Sequence, residues 1–308
     1  MEQTTNNNDI LENQPLVSII VITYNSSKYV LETLESAKAQ TYQNIELIVS
    51  DDCSTDNTVE ICQEWIAKNK ERFVRTELIT AEKNTGIPAN CNRGVKSAQG
   101  EWVKLIAGDD ALLPDCIGLN INQLLNNKNI NLLQSNVIYF ENTFDETNFI
   151  KTSNIQGNSF FQKVNNIDQY RQILYGNQII APSMFIKRNV VFNVGGFDED
   201  IYFLEDLPFW TKALQNGYKI DYFDDVTVKY RIHNNHTSKQ KIMSLNYAKS
   251  LLIYSKKYKN DNVNVLHYYA YNLSLYITII YNTIGLSNKM PILDKLISFV
   301  TSKLRQII

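Results

Sequence analysis

The chain has 308 residues, with hydrophobic side chains at 44%, charged ones at 20% and a formal net charge of −2. That balance excludes a general nucleic-acid binder, which needs a strongly basic domain. It also excludes extended disorder, which needs low hydrophobicity and high net charge, and the length sets a prior of about two domains.

Residues 1–14 are polar and Asn-rich, without the basic start or apolar run of a signal peptide, and read as a flexible tail. Residues 16–23 are a β-branched run expected to form a strand buried on both faces. A helix is expected over 26–40, where Val30, Leu34 and Ala37 recur at helical spacing. Strands over 45–50, 74–80 and 102–107 then alternate with helices over 58–68 and 88–98. Such alternation predicts βαβ units and a mostly parallel sheet flanked by helices. Next come a helix from Pro114 to about Asn126 and a strand over 131–141. Residues 143–166 are polar and irregular and read as a surface insertion. Later elements are a helix at 170–174, extended chain at 182–186, a helix at 208–216, and strands at 220–222 and 226–231. Three helices over 244–258, 265–284 and 293–307 form a C-terminal tail. The four cysteines make no CxxC pair and fit small buried hydrophobes in a reducing cytoplasm.

In open parallel sheets, ligands bind beyond the carboxyl ends of the strands. Three polar clusters stand there: Thr23-Tyr24-Asn25, then Asp51 through Asp56, then Gly108-Asp109-Asp110. Any one alone is equally a helix cap or a turn. Three at equivalent strand ends point to a ligand. Asp109 and Asp110 repel each other when both are ionised, and a hard cation relieves that repulsion. Mg²⁺ typically takes one or two carboxylates and completes its shell with phosphate and water. A nucleoside diphosphate with Mg²⁺ or Mn²⁺ is the natural occupant. No Walker A sequence occurs and no GxGxxG follows the first strand, so P-loop and dinucleotide readings lack their glycines.

Residues 15–25 (PLVSIIVITYN) and 45–56 (IELIVSDDCSTD) resemble the family-2 inverting glycosyltransferases of GT-A fold. Asn84-Thr-Gly86, Asn92-Arg-Gly94, Ala107-Gly-Asp-Asp110, Gly195-Gly-Phe-Asp-Glu199, Glu205-Asp206 and Tyr230-Arg-Ile-His233 follow in the family's order. The resemblance spans residues 15–238. It implies a catalytic domain with a nucleotide half (15–110) and an acceptor half (111–238), followed by the helical region 239–308. It also implies roles for individual residues. Thr23, Tyr24 and Asn25 lie on the nucleotide loop. Asp52 reads the base, usually uracil, with Asp51 supporting its turn. Asn84 and Gly86 close over the nucleotide. Asp109 and Asp110 take ribose and metal, with Asp110 the direct metal ligand. Arg231 and His233 close over the diphosphate. Asp206 is the catalytic base, with Glu205 its neighbour on the acceptor side; apart from the resemblance, Trp210 reads either as core packing or, being near Asp206, as an aromatic stacking on an acceptor sugar.

Two positions depart from the family pattern. Ala107 replaces the first Asp of Asp-x-Asp, and Cys53 replaces the usual Gly of the Asp-Asp-Gly-Ser turn, where positive φ would strain it. They keep open a catalytically inactive sugar-nucleotide-binding subunit. A haloacid-dehalogenase-type phosphatase would need an acidic residue where Cys53 stands. The expected partners are a nucleoside diphosphate sugar, UDP-linked, and a saccharide or lipid-linked acceptor, in bacterial surface polysaccharide or glycolipid assembly. The expected location is cytoplasmic. The basic amphipathic helix over 293–308 suits packing on its own domain, a homodimer, or peripheral contact with the inner membrane's cytoplasmic face.

Overall fold

The computed structural model describes residues 14–163, 165–233, 243–285 and 291–305. The expected tail of 1–14 falls almost wholly outside them, and so does the expected boundary at 238.

Aliphatic residues fill β1 (Val17–Thr23) and β2 (Ile45–Asp51), and every side chain in the two strands is buried except the half-buried Ile22. Burial on both faces follows from helices on each side. With β3 (Arg75–Thr80) and β4 (Trp102–Ala107) they make a parallel run ordered β3-β2-β1-β4. The crossovers carry α1 (Val30–Lys38), α2 (Thr58–Asn69) and α3 (Ile87–Ser97). β8 (Met184–Lys187) then pairs antiparallel with β4, and the sheet becomes mixed. It continues through β6 (Leu132–Glu141) and β9 (Ile220–Ile232) to the two-residue β5 (Ala111–Leu112). The two strands expected at 220–222 and 226–231 are the single strand β9, which shifts register against Gln134–Val137 instead of breaking.

The expected surface insertion at 143–166 is only partly one. Its strand β7 (Phe149–Thr152) is exposed and pairs with β6, yet Ile155, Phe160 and Phe161 lie in the core. Two cores sandwich the sheet. One packs α1, α2 and α4 (Cys116–Asn126) on one face. The other packs α3, α6 (Arg188–Asn193) and α7 (Asp206–Gln215), with α5 (Asn166–Ile173) at its edge.

The tail comprises α8 (Leu245–Tyr254), a π-helical turn at Ser255–Lys259, α9 (Val265–Thr283) and α10 (Pro291–Arg305). It packs on the catalytic half: Leu251, Tyr254, Tyr258 and Leu275 join the second core. The Tyr254 hydroxyl lies 2.9 Å from Thr211 Oγ1 on α7. Lys257 Nζ donates to Asp198 and Asp200, each at 3.0 Å, and the Tyr258 hydroxyl donates to Asp198 at 2.6 Å. Among the described residues no helix is long and apolar enough to cross a membrane.

Candidate active site

The carboxyl ends of β1 and β2 carry the first cluster. Thr23 Oγ1 donates to Asp51 Oδ2 at 2.8 Å, and Ser54 donates to the same carboxylate through both its N–H and its hydroxyl. Asp51 is therefore a fully buried brace for the turn. The turn brings Cys53 to φ 67°, the left-handed region the sequence flagged, and Asn25 to φ 51°. Asn25 accepts the Thr55 N–H at 2.8 Å, which leaves Tyr24 projecting, 49% exposed.

Asp52, expected to read the base, holds main chain and side chains of the neighbouring loop. Oδ2 accepts the N–H groups of Thr85 and Gly86 at 2.9 and 2.8 Å. Oδ1 accepts the Thr85 hydroxyl and Arg93 at 2.5 and 3.1 Å. An ionised carboxylate has about four acceptor positions, and all are taken. Asp52 is the anchor of the Asn84–Gly86 loop. Gly86 has φ 92°, and a Cβ there would stand 2.7 Å from the Tyr202 ring. Only glycine lets that ring lie against the loop, where the Tyr202 hydroxyl donates to Asn84. Arg93 binds this cluster from α3, also reaching Asn90 Oδ1 at 2.8 Å. Sequence reasoning gave it no role, although it lies inside a quoted motif.

The second cluster follows β4. Asp110 is 2% exposed and accepts the Arg231 backbone N–H at 2.8 Å. Burial and the neighbouring Asp109 charge push its carboxyl well above the usual range. Asp109 is half-buried, and its Oδ2 lies 3.1 Å from His233 Nε2. Asp110, the expected direct metal ligand, is tied to the β9 backbone, and Asp109 presents its carboxylate beside an imidazole. The Arg231 side chain is buried, donating to the Asp109 carbonyl at 2.7 Å, to the Asn142 carbonyl and to Glu32 at 2.8 Å. Its guanidinium stacks on Phe144, 3.8 Å from the ring centroid. It clamps the Asp109 loop to Asn142 and Glu32.

The carboxylate oxygens of Asp109 and Asp110 are the donors here that suit Mn²⁺ or Mg²⁺. Among the described residues no group of three or more His, Cys, Asp and Glu stands ready for a metal. The fit is therefore to a cation shared with a phosphate ligand, not to a closed protein cage.

The third cluster opens α7. Asp206 is its first residue, two positions before the expected start, and its Oδ1 accepts the Leu207 N–H at 2.6 Å. Asn177 donates to Asp206 Oδ2 at 2.8 Å, a contact sequence reasoning missed because a lone Asn after Gly reads as a turn. Burial raises Asp206 above the usual carboxylate range, against the pull of these two bonds. Burial and the Asp206 charge push Glu205 up to about 8. The two carboxyls titrate as a pair, and each disfavours a second negative charge beside it.

The second and third clusters face one cavity of about 520 Å³, lined by Asp109, Asp110, Glu205 and Asp206 with Tyr139, Tyr230 and Met184. Trp210 is in its wall but only 2% exposed, so it is packing and not an open stacking platform. The nucleotide loop lies beside this cavity through Ile87 and Phe203.

The profile of glycosyl transferase family 2 matches residues 18–195. An uncharacterised glycosyltransferase of Methanocaldococcus jannaschii is 30% identical over 275 residues, covering 87% of this chain and 89% of the relative. Among solved structures, residues 1–349 of Staphylococcus aureus TarS in complex with UDP-GlcNAc superpose with TM-score 0.60 at 19% identity. That match covers 92% of this chain and 79% of the other. A Pyrobaculum calidifontis mannosyltransferase in complex with GDP-Man and Mn²⁺ gives 0.61 at 16%, over 96% and 88%. Family profile, full-length relative and shared fold agree with the three clusters: the chain belongs to glycosyl transferase family 2 and is a glycosyltransferase of GT-A fold.

Proposed function

We propose that the enzyme transfers a sugar from a nucleoside diphosphate sugar, UDP-linked, to an acceptor hydroxyl with inversion, using Asp206 as general base. The observation that carries this reading is that Asp109, Asp110, Glu205 and Asp206 line one cavity, with His233 beside Asp109. The nucleotide lies along Tyr24, Asn25 and the Asn84–Gly86 loop, whose main chain Asp52 holds in place. Asp109, with His233 beside it, would hold Mn²⁺ or Mg²⁺, which would be shared with the diphosphate. When bound, that cation supplies charge neutralisation at the leaving group. Bound UDP-GlcNAc in TarS and bound GDP-Man with Mn²⁺ in the mannosyltransferase support this class of donor.

The acceptor hydroxyl loses its proton to Asp206 as its oxygen attacks the anomeric carbon opposite the diphosphate, so one base and one displacement invert the centre. Asn177 keeps Asp206 Oδ2 oriented. The acceptor is a saccharide or lipid-linked saccharide, with residues 15–238 as the catalytic unit. Substitution Asp206→Asn is expected to abolish transfer while UDP still raises the melting temperature in the presence of Mn²⁺. Near-normal transfer by that variant would remove Asp206 from the chemistry. Absence of transfer by the wild type across a donor panel, with UDP binding intact, would favour a non-catalytic binding subunit.

A further inference from the structure

The near-neutral total hides a segregation of charge. Residues 239–308 contain ten Lys and Arg against two Asp, while residues 1–238 contain twenty against thirty Asp and Glu. The basic segment is also where apolar side chains face outward. On α9, Leu266, Tyr269, Leu273, Tyr276 and Ile280 recur in steps of three and four, each at least 43% exposed. No charged residue interrupts that helix. On α10, Ile292, Leu296 and Phe299 are 55–87% exposed. Lysines flank both faces: Lys256 Nζ lies 5.7 Å from the Tyr276 ring centroid and Lys303 Nζ 5.9 Å from that of Phe299.

We infer that this tail seats the enzyme on an anionic lipid surface, the apolar stripes entering the acyl boundary and the lysines meeting lipid phosphates. Neither helix can cross the bilayer, so the contact is interfacial. Symmetric pairing with a second copy would oppose two strongly basic tails. Docking of one tail on the acidic remainder of another copy is head-to-tail and need not close. Only an anionic apolar interface satisfies both features at once. The inference rests on the fold and the charge pattern and not on the donor or the base.

The test is flotation of the full chain with vesicles of phosphatidylcholine alone and of phosphatidylcholine mixed equally with phosphatidylglycerol, at low and high salt. Partition is expected onto the mixed vesicles only, weakening with salt. Lys256→Gln and Lys303→Gln are each expected to weaken it about fivefold, the worth of one surface lysine at an anionic membrane. Leu273→Ser with Leu296→Ser is expected to abolish it at an unchanged melting temperature, since both side chains are already exposed. Failure to bind the mixed vesicles overturns the proposal. So does equal binding by all variants, or a self-associated species in equilibrium sedimentation that the same substitutions dissolve.

Discussion

Asn177 offers a sharp test of the catalytic assignment, because it touches the proposed base and nothing else in the proposed chemistry. Its Nδ2 donates to Asp206 Oδ2 at 2.8 Å, and its Oδ1 accepts the Ile179 N–H at 3.0 Å. The first bond favours the carboxylate, so Asn177→Ala removes a force holding down a group that burial has already raised. A hydrogen bond to a charged group contributes about 1.5–3 kcal/mol when buried. Asn177 is exposed, so solvent screening reduces this to about 1 kcal/mol, or about 0.7 pH unit. The base must be ionised to act. The acid limb of kcat/KM is therefore expected to move to higher pH by about 0.7, with about a fivefold loss below the limb and a smaller loss on the plateau. Asn177→Asp keeps the Ile179 contact but places a like charge beside Asp206, and is expected to move the limb further in the same direction. The assay is the pH profile of kcat/KM at saturating Mn²⁺, with melting temperatures as a folding control. An unmoved or downward-shifted limb in a folded Asn177→Ala variant would refute Asp206 as the group whose ionisation the rate reports.

Cys53→Gly removes a left-handed conformation costing about 1–2 kcal/mol for an L side chain and restores about 0.5–1 kcal/mol of chain entropy to the unfolded state. The expected net is a melting temperature higher by about 2 °C, and a lower one would contradict the strain. Gly86→Ala must displace the Tyr202 ring from 2.7 Å and adopt φ 92°, and is expected to weaken UDP binding at least about tenfold by calorimetry. Asp109→Asn is expected to abolish the Mn²⁺ dependence of UDP binding. Asp110→Asn keeps an acceptor for the Arg231 N–H and is expected to retain that dependence; the reverse result would restore Asp110 as the direct ligand.

The parallel half of the fold was legible because its strands are buried on both faces and leave continuous aliphatic runs; β4 matches its expected bounds to the residue. The acceptor half was less so. β5 has two residues and α6 six, too few to show a period. Phe160 and Phe161 reach the core from within a polar stretch, which composition alone reads as surface. The site was legible as a set of residues but not as contacts. That Asp110 is tied down by a backbone N–H of β9, far away in the chain, while Asp109 meets His233 is not written in the adjacent pair. Arg231 looked free to bind phosphate because nothing near it in sequence shows that Glu32, Asn142 and Asp109 surround it. Ordered motifs can name a loop's members; they cannot show which donors the fold has already spent.

The lock between Lys257, Tyr258 and Asp198 bears on how this chain can be recombined with its relatives. Asp198 and Asp200 stand on the loop that leads into Glu205 and Asp206, and Ser250 Oγ accepts the Phe203 N–H of the same loop. A chimera cut near residue 238 would set one parent's aspartates against the other parent's lysine and tyrosine, misplacing the base without touching it. A graft that carries residues 195–211 together with 243–285 keeps both halves of the lock from one parent. The loop before Glu205 and the tail are thus inherited as one block.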